Sequence, residues 1–187
     1  MQFQPVYIFD LDNTLIDTQA KVKVGDQYYS SQEYNNLDIY TILSLHHQGK
    51  LDIDFSAFDS LDQLLSEPLI EPTFRKLVDA YNKGSIIYIL TSRFDEKLIW
   101  NWLKFHNIEI PITRILTRSD GSTGGKYKKM DAVTFKKQQI YGLLEKFGTS
   151  VELNYYEDDI KVVNAIINEQ DGYLYNQYHK NFKIHLC

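Results

Sequence analysis

Two aspartates two residues apart, Asp10 and Asp12, close a short apolar run, Val6-Tyr7-Ile8-Phe9, and lead into Asn13-Thr14-Leu15. Carboxylates at this spacing can divide labour. One, ionised beside a metal, attacks phosphorus, while the other, held protonated, donates to the leaving oxygen. The same residues also suit a plain turn, in which Asp and Asn side chains satisfy nearby backbone groups. Two further polar groups stand where apolar runs end: Thr91-Ser92-Arg93 after Ile86 to Leu90, and Glu157-Asp158-Asp159 after Val151 to Tyr156. Arg93 can grip a phosphate with two parallel N–H bonds or sit in solvent. Thr91 and Ser92 suit the cap of a helix starting near Phe94. The acids at 157–159 can complete an oxygen-rich Mg²⁺ site or favour a helix dipole.

These groups need elements that bring them together. The runs Val6 to Asp10, Ile86 to Leu90, Ile112 to Leu116 and Val151 to Tyr156 predict buried strands of a mostly parallel sheet. Helical stripes alternate with them: Phe74, Leu77, Val78 and Tyr81; Leu98, Ile99, Trp102 and Leu103; Ile140, Leu143, Leu144 and Phe147; Ile160, Val163 and Ile167. Trp100 falls on the second of these helices. The alternation predicts an α/β, three-layer, Rossmann-like fold with a central parallel sheet and right-handed crossovers. Open sheets bind ligands at the carboxyl ends of their strands, which is where all three polar groups fall. Lys136 lies about 30° from the centre of the Ile140 stripe at 100° per residue, against about 70° for Lys137. An inward lysine at a helix start can reach that edge, or can lie along apolar surface with its charge in water.

Between Asp17 and Glu67 no parallel-strand signal occurs over about 50 residues. Val22 and Val24, Gly25-Asp26, then Tyr28 and Tyr29 predict a hairpin flap, and short helical patterns at Ile39 to His46 and Phe58 to Leu65 complete a small cap. The expected organisation is a core of residues 1–16 and 67–187 interrupted by a flap and cap at 17–66. His46 and His47 lack a metal-ligand partner at useful spacing.

The formal charge of −5 gives no global attraction to polyanions or anionic membranes. The only cysteine, Cys187, excludes an internal disulfide, and no stretch approaches the roughly 18 apolar residues of a membrane span. A soluble, cytoplasmic protein is expected, with no membrane and no protein partner inferable.

Asp10-Leu11-Asp12-Asn13-Thr14 resembles the DxDxT signature of the haloacid dehalogenase superfamily of phosphohydrolases. The resemblance implies that Asp10 forms an aspartyl-phosphate and that Asp12 is general acid/base, its backbone carbonyl also binding Mg²⁺. Ile89-Leu90-Thr91-Ser92 resembles the second motif, with Thr91 orienting the phosphoryl group and Ser92 the second choice. Lys136 matches the motif lysine. Glu157-Asp158 resembles the acidic fourth motif, with Asp158 as metal ligand and Glu157 or Asp159 as further candidates. A flap and cap after the first strand also fit the family. The implied metal set is Asp10, Asp12 and Asp158, and the catalytic set Asp10, Asp12, Thr91 and Lys136.

Gly121 to Lys126 resembles a P-loop only superficially, because Tyr127 replaces the required Ser or Thr. Arg114, Arg118, Lys126, Lys128 and Lys129 concentrate positive charge around Tyr127, enough to guide an oligonucleotide phosphate or simply to form a solvated loop. Leu90 through Asp159 also weakly resembles the phosphatase part of polynucleotide kinase-phosphatases. Ser92, Arg93 and Lys128 are the candidate substrate-binding residues. The expected activity is Mg²⁺-dependent phosphomonoester hydrolysis, on a nucleic-acid 3′-phosphate or a nucleotide. The alternatives are a small-metabolite phosphatase and a non-catalytic binding module on the same fold.

Overall fold

The computed structural model describes residues 4–30, 33–34, 36–118, 130–168 and 180–187. The elements run β1 (Val6–Phe9), β2 (Lys21–Val24), β3 (Gln27–Ser30), α1 (Ile39–His47), β4 (Ile53–Asp54), α2 (Leu61–Ser66), α3 (Glu71–Asn82), β5 (Ile86–Leu90), α4 (Glu96–Phe105), β6 (Ile115–Leu116), α5 (Ala132–Phe147), β7 (Leu153–Glu157), α6 (Ile160–Ile167) and β8 (Phe182–Leu186). By contacts they fall into two compact units, one of Met1–Asp17 with Leu69–Cys187 and one of Thr18–Pro68.

The larger unit is an α/β structure around a five-stranded parallel sheet of order β6-β5-β1-β7-β8. Val6 pairs with Ile86 on one side and Leu153 on the other, and Phe9 with Ile89 and Tyr156. The chain steps outward from β1 through β5 to β6, then returns past β1 to β7 and β8. The order therefore reverses between β1 and β7, which is where an open α/β sheet leaves a crevice at its carboxyl edge.

Strand pleating explains how two layers of helices are held. Val6, Ile8, Tyr88, Leu90, Leu153, Tyr155 and Phe182 share one face and form a core with Phe135, Ile140, Leu143 and Leu144 of α5 and Val162 and Ile166 of α6. The alternate residues Phe9, Ile87 and Ile89 are equally buried, and α3 and α4 supply Leu77, Ala80, Leu98, Ile99, Trp102 and Leu103. Each of the large aliphatic and phenylalanine side chains among them stabilises the fold by about 1.5–3 kcal/mol on burial. Asp95, Asp131 and Asp159 cap the first turns of α4, α5 and α6, accepting from backbone N–H groups there.

Several elements differ from the sequence pattern. Only Ile115–Leu116 of the run at 112–116 pairs as strand, because Arg114 N–H closes a 3₁₀ turn on the Pro111 carbonyl. The buried stripe of α3 is Thr73, Leu77 and Ala80, with Phe74 meeting Trp102 and His106 edge-on at its margin. That of α6 is Val162, Val163 and Ile166, and Ile160 and Ile167 are exposed. β8 has no counterpart among the expected strands. No described helix is long and apolar enough to cross a membrane.

In the smaller unit β2 pairs antiparallel with β3 through a turn at Gly25, whose φ of +59° suits glycine, and with β4 on its other side. His46 Nδ1 lies 2.9 Å from the Leu51 carbonyl. Glu67 closes the neck: its buried carboxylate accepts from the backbone N–H groups of Gln19 and, at 3.1 Å, Ala20, and from the Gln63 amide at 3.1 Å. Removing it leaves the buried Ala20 N–H unsatisfied, at about 1–3 kcal/mol. Glu67→Ala should therefore speed amide exchange at Gln19 and Ala20 by roughly tenfold or more, leaving β1, β5 and β7 unchanged in hydrogen–deuterium exchange.

Candidate active site at the carboxyl edge of the sheet

Asp10 is held where β1 ends. Its N–H donates to the Tyr156 carbonyl at 3.0 Å, and the chain then folds on itself. The Leu11 carbonyl accepts from Thr14, Leu15 and Ile16, the Asn13 N–H donates to the Ile16 carbonyl at 2.7 Å, and Asn13 takes the left-handed φ of +58° that Asn tolerates. Leu11, Leu15 and Ile16 are fully buried. The Ile70 N–H bonds the Leu15 carbonyl, fastening the knot to the start of α3.

The knot gives the two aspartates different partners. Asp10, almost completely buried, forms an ion pair with Lys136 at 2.8 Å. Asp12 is gripped by Arg93: Nε lies 3.2 and 3.1 Å from its two oxygens, and Nη2 lies 2.7 Å from Oδ1. The Thr14 hydroxyl spans the Asp10 and Asp158 carboxylates at 3.4 and 3.5 Å, joining the ends of β1 and β7.

Lys136 sits in the second turn of α5, on the buried stripe of Ile140, Leu143 and Leu144. Its ammonium lies 2.9 and 3.0 Å from both oxygens of Glu157, which has no exposed surface. Glu157 also accepts from the Asp159 N–H at 3.1 Å and from the Tyr155 hydroxyl. Asp159 caps α6 through the Lys161 N–H.

Thr91 is fully buried, and its hydroxyl accepts from the Arg93 N–H at 3.2 Å. Asp95, not Thr91, caps α4, so Thr91 stabilises the tight turn that presents Arg93. Arg118 braces that turn, its Nε donating to the Ser92 carbonyl at 3.0 Å and its Nη1 to the Met130 carbonyl at 3.1 Å.

Sequence and structure thus bring together Asp10, Asp12, Arg93, Lys136 and Asp158, with Thr91 and Ser92 on the adjoining turn. Lys128, with Lys126, Tyr127, Lys129 and the glycine-rich stretch before them, lies outside the described residues. Carboxylate oxygens of Asp10, Glu157 and Asp158 lie within 4.8 Å of one another, while the Asp12 carboxylate is turned to Arg93; the atom of Asp12 expected to meet a metal is its backbone carbonyl, not this carboxylate. Thr14, Tyr155 and Arg118 were not expected at the site. Thr14 belongs to the aspartate motif, but no local pattern signals the tyrosine or the brace.

Three carboxylates around one ammonium leave an excess of negative charge. Burial, opposed by Lys136 and reinforced by Glu157, Asp158 and Asp12, holds the Asp10 carboxyl well above the ordinary aspartate range. Burial and then Glu157 push Asp158 up to about 6, with Lys136 opposing. Burial acts to lower Lys136, but the Asp10 and Glu157 carboxylates outweigh it and hold the ammonium above the usual lysine value. All-oxygen donors carrying excess negative charge fit a hard divalent cation such as Mg²⁺. Asp10 and Asp158, spanned by Thr14, would hold it, since both Glu157 oxygens are already engaged by Lys136.

Comparison of the chain with protein-family models and with curated proteins gives no match.

The raised Asp158 carboxyl has a consequence for stability. Its folded value of about 6 exceeds the ordinary 3.8, so between these values the folded chain binds more protons than the unfolded chain. Stability is consequently lost as pH rises from roughly 4 to 6 and is not regained above. In chelator, Asp158→Asn should stabilise the protein at pH 7.5 by about 1–2 kcal/mol, after allowing for residual solvent access, with no gain near pH 3.5. Urea unfolding at the two pH values checks this.

Proposed function

We propose that the chain is a Mg²⁺-dependent phosphomonoesterase that works through an aspartyl-phosphate on Asp10. The observation that carries this is the convergence of Asp10, Lys136 and Asp158, from β1, α5 and the end of β7, at the point where the strand order reverses. Paired acids, a buried lysine and an oxygen cluster are the parts that phosphoryl transfer requires. The resemblance of Asp10 to Thr14, Thr91 and Glu157-Asp158 to haloacid dehalogenase phosphatase motifs supports the same assignment.

Once Arg93 has turned to the substrate, Asp12 takes up a proton from solvent; the Asp10 carboxylate then attacks phosphorus as the ester P–O bond breaks, and Asp12 gives that proton to the departing alkoxide. Asp12 then takes a proton from water, whose oxygen attacks phosphorus. The P–O bond to Asp10 breaks, releasing inorganic phosphate and restoring both acids. Lys136, poised against Asp10, neutralises charge as nucleophile and phosphoryl oxygens approach. Thr91 and the turn it closes position the phosphoryl group and present Arg93. A dianionic phosphate competes with Asp12 for the Arg93 guanidinium, whose fork matches either partner. Transfer of Arg93 to the substrate releases Asp12 for proton transfer. Bound Mg²⁺ would supply charge screening and fix the phosphoryl orientation.

Wild type should hydrolyse 4-nitrophenyl phosphate with Mg²⁺ and lose turnover on chelation, while Asp10→Asn should fall by roughly a thousandfold or more. Equal turnover of the two forms rejects the nucleophile. Running 3′-phosphorylated oligonucleotide, nucleotides and small sugar phosphates alongside assigns the substrate class.

A further inference from the structure

Lys136 carries its ammonium on a flexible four-carbon stem, so its position must be set by its partners. Asp10 is one, at 2.8 Å, and as proposed nucleophile it cannot also be a fixed anchor. Glu157 is the other, at 2.9 and 3.0 Å, but a carboxylate also rotates unless held. Two groups hold it: the backbone N–H of Asp159 and the hydroxyl of Tyr155.

Tyr155 stands two residues before Glu157 on β7, so pleating directs both side chains to one face. Its ring is fully buried among Ile8, Phe135, Ile140 and Val162, which leaves the hydroxyl little freedom. Packing alone would be served by phenylalanine, and a buried hydroxyl is costly unless it is bonded. Burial and then the Glu157 charge raise the Tyr155 phenol above the ordinary tyrosine range, keeping its proton on the donor.

We infer that Tyr155 is a positioning residue: through Glu157 it fixes the Lys136 ammonium against Asp10, so that the reacting groups are aligned before substrate arrives. The kinetic part rests on the phosphatase assignment above.

The test compares wild type, Tyr155→Phe and Tyr88→Phe. Tyr88 is also buried on the core side of the sheet, but its hydroxyl accepts from Lys146 at 2.9 Å and serves no site residue. With 4-nitrophenyl phosphate and saturating Mg²⁺, Tyr155→Phe should lower kcat about tenfold with KM within about twofold, and Tyr88→Phe should change neither. In the cation-free protein, the side-chain ¹⁵N resonance of Lys136 should be sharp in wild type and Tyr88→Phe and exchange-broadened in Tyr155→Phe. A Tyr155→Phe protein with wild-type kcat and an intact Lys136 resonance overturns the inference. If wild type does not hydrolyse the ester, the phosphatase assignment falls and the resonance alone decides: broadening supports the role of Tyr155 and retention refutes it.

Discussion

One buried ammonium, that of Lys136, makes it possible for Asp10 and Glu157 to approach each other at the heads of β1 and β7. Two carboxylates with almost no solvent access repel strongly in a low-dielectric interior, and removing the cation between them costs on the order of 3–5 kcal/mol. The fold supplies that cation through a chain of dependences. Asp131 caps α5 at the carboxyl edge, and the apolar stripe of Ile140, Leu143 and Leu144 fixes the rotation of the helix. Lys136, on the same stripe one turn before Ile140, is then driven inward at the level where β1 and β7 end. A rotation of α5 by one residue would put Gln139 on the core and Lys136 on its border.

The neutralisation is incomplete, and the remainder is informative. Lys136 balances one of the three clustered carboxylates, while Asp10 and Asp158 hold their protons above the ordinary aspartate range. An arrangement that works against its own ionisation is a poor choice for stability and a good one for attracting a cation. Glu157 is spared that role because its oxygens are spent on Lys136, Tyr155 and the Asp159 N–H. The candidate ligand Asp158 and the residue that anchors Lys136 are thus adjacent in the chain.

β1 and β5 were legible because strands buried on both faces are near-continuously apolar, and the polar residue that stops each run marks the carboxyl edge; β7 was read through Asn154 from its tyrosines and the acids that follow. The inward direction of Lys136 followed from helical period alone. β8 was missed although Phe-Lys-Ile-His-Leu alternates, since an edge strand interleaves polar residues where β1 and β5 are continuously apolar. The core face of α6 was misplaced because Ile160, Val162, Val163, Ile166 and Ile167 spread over an arc of roughly 160°, wider than the face that is buried, and period cannot choose among them. Arg118 read as part of a surface patch because its carbonyl partners, Ser92 and Met130, are backbone groups, which carry no signature in the sequence.

Asp10 and Asp12 are chemically identical, so any division of labour must come from their surroundings. The loop between them provides it. Leu11 enters the core, and the chain then recoils through Asn13 in the left-handed region, so that the two carboxylates meet different cations. Asp10 faces a lysine and a carboxylate in a buried cluster, a setting for a nucleophile that must be brought up to a phosphoryl group and charge-compensated there. Asp12 faces a guanidinium whose fork also matches phosphate in shape and charge. Under the proposed phosphatase reading, a partner that a phosphate substrate can draw away suits Asp12, rather than Asp10, to change its protonation during the reaction.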